Sequence, residues 1–116
     1  MHVRRGDVGK GWTVRYVSPA AYFAERGELP TVVHTETRNN DVTWCQREVG
    51  CELRLDADVL AMIRECVAAA RFVGTAQSGL SLLIALYREG PSTLFYSGGR
   101  HLAVDPPRRW RMVPAV

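Results

Sequence analysis

The hydrophobic and polar positions along the chain follow two different periods, which predicts a protein built from both strands and helices. A period of two is typical of strands, because successive side chains of a strand point to opposite faces of the sheet. It is found in residues 12–17, 31–38, 42–55 and 93–97. Asn39 and Asn40 favour a tight turn, so residues 31–38 and 42–48 are predicted to form a β-hairpin.

The first helix signal is a set of residues that favour helix ends. Ser18 is a good N-cap, Pro19 fits the first helical position, and Gly27 follows the last apolar residue. These residues predict a short helix over residues 19–26.

A longer helix is predicted over residues 57–73, where apolar residues recur at helical spacing between the cap residue Asp56 and the stop residue Gly74. Residues 80–88 are apolar on both faces, which favours a strand at the centre of a sheet. The glycine pair before His101 predicts one more turn and a last strand over residues 101–105.

A chain of 116 residues fits one domain. The predicted fold class is α+β, with a two-layer, mostly antiparallel sheet of five to six strands on which the long helix and the short helix pack. Residues 1–10 are expected to form a flexible leader. Pro106 and Pro107 end regular pairing, so residues 106–116 are expected to form an extended C-terminal tail.

Composition narrows the class of protein. An apolar fraction of 47% and a charged fraction of 23% are those of an ordinary globular protein and argue against disorder. The sequence has neither an apolar run of the length that a membrane span needs nor a secretory signal, so we expect a cytoplasmic protein. Three cysteines are an odd number, and a chain of this size needs no disulfide framework.

The basic residues are almost all arginine, with Lys10 the single lysine among 15. Arginine, alanine and valine are favoured by the codons of a GC-rich genome, which indicates a bacterium or a phage as the source. The formal net charge of +3 gives only a mild overall field, so the arginine content alone does not indicate a nucleic-acid coat protein.

Candidate catalytic and metal-binding groups are few. His34 belongs to a His-x-Thr element that resembles half of the paired motif of the 2H phosphoesterases, but His101 is not followed by the second copy. Cys45, Cys51 and His34 do not have the spacing of a closed zinc site. We therefore predict no catalytic residue, no metal site and no cofactor, and keep a hydrolase or transferase built around His34 as a third hypothesis.

The candidate binding residues are aromatic and arginine side chains. Arginine pairs with carboxylates or phosphates and stacks on aromatic rings, and the same residues dominate protein interfaces and single-stranded nucleic-acid sites. The predicted binding residues are Trp12, Tyr16, Trp44, Arg108, Arg109, Trp110 and Arg111.

The leading hypothesis is a protein-binding module that acts as an inhibitor or an immunity-type protein, with another protein as its partner. The alternative is a nucleic-acid-binding protein that uses the C-terminal arginines and tryptophan. No membrane partner is expected, and an unpaired edge strand leaves a homodimer open.

Overall fold

The computed structural model of the chain describes residues 1–3, 17–38, 40–96 and 105–115. These residues form an α+β structure with four helices and five strands. In chain order the elements are α1 (Pro19–Arg26), β1 (Thr31–Thr35), α2 (Thr43–Gln46), β2 (Cys51–Leu55), α3 (Val59–Ala68), β3 (Phe72–Thr75), α4 (Gly79–Tyr87), β4 (Ser92–Tyr96) and β5 (Trp110–Pro114).

All strand pairs of these five strands are parallel. β1 pairs with β2 in a two-stranded sheet, and β3, β4 and β5 form a three-stranded sheet in that order. The predicted mostly antiparallel sheet of five to six strands is therefore wrong. Parallel neighbours require a crossover connection between them, and α2 and α4 supply it for the pairs β1–β2 and β3–β4.

The predicted hairpin is absent from the described residues around the turn. The segment expected to return as a strand forms α2 instead, and Cys45 buries its side chain there. Asn40 donates from Nδ2 to Glu36 O at 2.8 Å and to Thr35 Oγ1 at 3.1 Å, so it holds the chain as it leaves β1. β1 then pairs with the strand after α2.

The apolar run predicted as a central strand is the helix α4. Ser78 caps it by accepting from Ser81 N at 3.4 Å, and Ile84 and Ala85 are fully buried. An apolar run of this length fits a buried helix as well as a buried strand, and here the Ser78 cap favours the helix.

The other two predicted helices differ in outcome. α1 is confirmed at residues 19–26, with Ser18 accepting from Ala21 N and Gly27 at a φ of 61°. The long helix is shorter than predicted, because Asp58 rather than Asp56 caps it and it ends at Ala68. The last residues assigned to it form β3.

Residues 1–3 connect the two sheets by backbone hydrogen bonds. Val3 N donates to His34 O, His34 N donates to Met1 O, and His2 N donates to Val73 O, each at 2.9 Å. Across the molecule the order is therefore β2, β1, residues 1–3, β3, β4 and β5.

Helices cover both faces of the three-stranded sheet, which corrects the predicted two-layer packing. Neighbouring residues of a strand point to opposite faces, and Phe72 and Val73 belong to two different core clusters. The cluster with Val73 contains Tyr22 of α1 and Cys45 of α2. The cluster with Phe72 contains residues of α3 and α4.

Three sequence predictions fall wholly or largely on residues that the structure leaves undescribed: the leader beyond residue 3, the strand at 12–17 and the strand at 101–105. Of the predicted tail, residues 110–114 pair with β4 as β5. Within the described ranges no helix has the length and apolar character needed to cross a lipid bilayer.

Gly74 of β3 provides the first prediction, because a Cβ there would lie 2.7 Å from Ser81 Oγ and 2.9 Å from the Phe72 ring. Gly74→Ala should lower the free energy of unfolding by about 1–3 kcal/mol, since α4 would have to move away from the sheet. Gly79→Ala is the matched control, because its Cβ meets nothing within 4 Å. Urea unfolding should show no loss for the control, and equal stability of the two variants would contradict this packing.

Arg88 provides the second prediction, because its guanidinium is 1% exposed. It donates to Cys66 O at 2.6 Å, Ala69 O at 2.7 Å, Pro91 O at 3.0 Å and Ser92 Oγ at 3.2 Å. Arg88→Met keeps most of the length but leaves these acceptors unpaired, so we expect a loss of about 3 kcal/mol in urea unfolding. The exposed Arg64→Met should change stability by less than about 0.5 kcal/mol.

Candidate functional site

A cleft of about 600 Å³ lies at the amino ends of β1, β3 and β4. Its lining includes Thr31 and Val32 of β1 and Phe72 and Val73 of β3, so it opens between the two sheets. The last turns of α1 and α3 border it on either side. A volume of this size is that of an ordinary ligand site, about 300–1,000 Å³.

The opposite edge of the sheets, at the carboxyl ends of the strands, is the usual ligand side of open parallel sheets. The cleft lies at the other edge, and its lining consists of residues that the structure describes.

His34 lines the cleft and is 2% exposed. Its Nε2 lies 3.2 Å from Glu65 Oε2, although the two groups are not aligned as a hydrogen bond. Neither ring nitrogen has a hydrogen-bond partner in the described part of the chain. Glu65 also contacts Arg54 Nη2 at 3.3 Å, so its charge is shared between an arginine and the imidazole.

His34 is the middle member of a row of basic side chains on three neighbouring strand segments. It is in register with His2 on one side and with Arg54 on the other, so all three lie on one face of the sheet. His2 Nδ1 lies 2.7 Å from Ser81 Oγ of α4. Helices α3 and α4 therefore place polar groups over this row.

The electrostatic state of His34 follows mainly from its burial. Burial lowers the pKa of His34 below its ordinary value of 6.5, and the neighbouring Glu65 carboxylate acts in the opposite direction. Because burial has the larger effect, the imidazole is neutral at pH 7. A neutral imidazole can donate from one nitrogen and accept at the other.

The rim of the cleft is rich in positive charge. The ionised side chains that line it, apart from His34, are Arg26, Arg71, Arg108, Arg109 and Arg111, with Glu25 and Glu65.

Two of these arginines are paired with carboxylates. Arg26 contacts Glu48 at 3.5 Å, and Arg111 contacts Glu25. Arg109 donates to two neutral acceptors, Arg88 O at 2.9 Å and Leu86 O at 3.1 Å, so no carboxylate of the described residues compensates its charge.

Arg71 and Arg108 are exposed, and neither has an ion pair or hydrogen bond among the described residues. Together with Arg109 they leave three uncompensated positive charges. The ends of α1 and α3 oppose them, because a helix C-terminus carries about half a negative charge. Two such ends amount to roughly one negative charge, so the cleft stays positive.

The two predicted tryptophans that the structure describes, Trp44 and Trp110, do not form an exposed binding surface. Trp110 is 8% exposed and donates from Nε1 to Ala85 O at 3.2 Å, so it belongs to the core. Trp44 is half-buried against Phe23, with 5.7 Å between ring centroids. Trp12 and Tyr16 lie outside the described residues.

The predicted arginines do come together, because Arg108, Arg109 and Arg111 all line the cleft. Arg71, which joins them from the segment before β3, was not predicted. Neither were Glu65 and Arg54, the neighbours of His34. Their sequence signal was weak, since exposed charges on a helix or strand are common on any surface.

The thiols of Cys45 and Cys66 are not activated. Burial and the neighbouring Cys51 raise the pKa of Cys45 to about 11. Burial also raises the pKa of Cys66, so both thiols are protonated at neutral pH and are poor nucleophiles. In the described part of the chain, no group of three or more histidine, cysteine, aspartate or glutamate side chains is arranged to hold a metal ion.

Comparison of the chain with protein-family models, with curated proteins and with solved structures finds no match.

The third prediction concerns the pH dependence of stability. A histidine with a lowered pKa in the folded state binds its proton more tightly in the unfolded chain, so stability is constant well above pH 6.5 and falls as the pH drops below 6.5. The slope contributed by His34 is at most about 1.4 kcal/mol per pH unit.

Urea unfolding of the wild type and of His34→Leu, from about pH 8 to about pH 5, should show this slope only in the wild type. The Glu65 carboxylate, the Met1 amino group and Arg54 act on the imidazole and are kept in both proteins, so their effects largely cancel in the difference. Parallel curves for the two proteins would contradict a neutral, buried imidazole.

Proposed function

We propose that the protein is a small binding module that recognises an acidic segment of another protein in the arginine-lined cleft. The observation that supports it most is the presence of Arg71, Arg108 and Arg109 around the cleft without a carboxylate partner among the described residues. Arginine is the side chain best suited to bidentate pairing with carboxylates.

The cleft also has apolar walls that suit a polypeptide. Ala69 and Pro91 line it and are exposed, and Leu29 lines it while 45% exposed. A bound segment could place methylene groups and small side chains against these walls while its carboxylates meet the arginines. The volume suits a short stretch of chain rather than a folded surface.

A single-stranded nucleic acid fits this site less well. Such ligands are held by stacking of bases on aromatic rings, worth about 1–3 kcal/mol per base, in addition to positive charge. Trp110, the aromatic residue of the arginine-rich segment, is committed to the core, and Phe72 in the cleft is 1% exposed. The described lining therefore offers charge without a stacking surface.

An inhibitor or immunity-type protein of a bacterium or a phage, acting in the cytoplasm, is the form of binding module that we propose. The size of the chain and its arginine-rich composition support this form. Electrostatic complementarity between the cleft and an acidic target would provide specificity and fast association.

The fourth prediction tests the cleft with a short fluorescein-labelled peptide of aspartate and glutamate, compared with the same peptide containing asparagine and glutamine. The wild type should bind the acidic peptide, and rising salt should weaken binding because the arginines are exposed. Arg71→Ala/Arg108→Ala should weaken it at least about tenfold, which corresponds to a loss of about 1.4 kcal/mol.

Arg47→Ala/Arg64→Ala is the matched control, because it removes the same charge from exposed positions outside the cleft. Fluorescence anisotropy should give the control the affinity of the wild type. If both double variants lose the same affinity for the acidic peptide, binding depends on net charge and not on the cleft. Tighter binding of an oligothymidylate of equal charge would favour the nucleic-acid alternative instead.

A further inference from the structure

The imidazole of His34 is a buried polar group without a hydrogen bond, although it lines the cleft. Most buried polar side chains are paired, because an unpaired one costs about 1–3 kcal/mol. His34 is therefore maintained at a cost to stability. A leucine at this position of β1 would fill a similar volume without that cost.

The neighbours of His34 determine which nitrogen carries the proton. Glu65 Oε2 lies 3.2 Å from Nε2, and a carboxylate can only accept a hydrogen bond. This proximity favours the tautomer with the proton on Nε2. Nδ1 then presents an unshared electron pair and has no donor within the described residues.

The cleft therefore has two chemically different regions. Its buried lining includes His34, whose Nδ1 is a hydrogen-bond acceptor, and the side chain of Cys66 of α3. Its rim carries the uncompensated arginines. A ligand that satisfies both regions must bring a hydrogen-bond donor to the buried lining and an anionic group to the rim.

We propose that His34 is the specificity-determining contact of the cleft, and that its Nδ1 accepts a hydrogen bond from an N–H group of the bound acidic segment. This inference rests on the proposed function. It specifies how the acidic segment is recognised, because in a peptide a backbone amide N–H lies a few bonds from a side-chain carboxylate. A site that holds a buried acceptor for such a donor discriminates strongly against a ligand that lacks it.

Two probes separate these ligand classes. The capped peptide acetyl-triaspartyl-amide carries carboxylates and amide N–H donors, whereas tricarballylate carries three carboxylates and no donor. Titration calorimetry on the wild type should give the peptide an affinity at least about tenfold higher. His34→Leu should reduce that preference to within about threefold, because it lowers the affinity for the peptide and leaves the affinity for tricarballylate unchanged.

His34→Asn is the second variant, because its side-chain oxygen can accept a hydrogen bond near the position of Nδ1. It should retain most of the preference for the peptide.

The thermal midpoint of His34→Leu should not fall at neutral pH, since the variant removes an unpaired buried polar group. A nitrogen-15 NMR spectrum should show the Nδ1 resonance of His34 shifting with the peptide and not with tricarballylate.

The outcomes distinguish this inference from the function on which it rests. If the wild type prefers the peptide and His34→Leu keeps that preference, the role of His34 is refuted while the acidic-segment site stands. If the wild type binds both anions equally through Arg71 and Arg108, the cleft is a general anion site and the inference is again refuted. If the wild type binds neither probe, both proposals are refuted.

Discussion

The arrangement of the whole molecule depends on the backbone hydrogen bonds of residues 1–3. These residues lie between β1 and β3 and bond to both, so they join a two-stranded and a three-stranded sheet that otherwise share no strand pair. The connection fixes the distance between the two sheets, and the cleft opens where it ends. It also places α3 over β1, which brings Glu65 to His34.

Local signals in the sequence predicted the elements better than they predicted the pairing of the elements. The caps at Ser18 and Gly27 identified α1 correctly, and the β-branched residues identified β1. The hairpin failed because two consecutive alternating segments can belong to parallel strands separated by a crossover, and nothing local distinguishes the two cases. Asn40 favours a turn in a hairpin and in a crossover connection alike.

The helix and strand assignments failed where composition is ambiguous. The segment of α4 is apolar on both faces, which describes a buried helix as well as a buried strand. A glycine after an apolar helical pattern predicts a helix stop, whereas Gly74 lies inside β3 and allows α4 to approach the sheet closely. In each case tertiary contacts decide, and a single sequence does not contain them in a local form. For the site, Arg108, Arg109 and Arg111 line the cleft, whereas the burial of Trp110 and the Glu65–His34 contact follow from the fold and have no local sequence signal.

The close approach at Gly74 has an evolutionary consequence. The space beside it is already occupied by the hydroxyl of Ser81, which also contacts His2. A larger residue at position 74 would meet both this hydroxyl and the ring of Phe72, so a smaller residue at position 81 alone would not make room for it. Position 74 is thus restricted to glycine as long as Phe72 and Ser81 both keep their places.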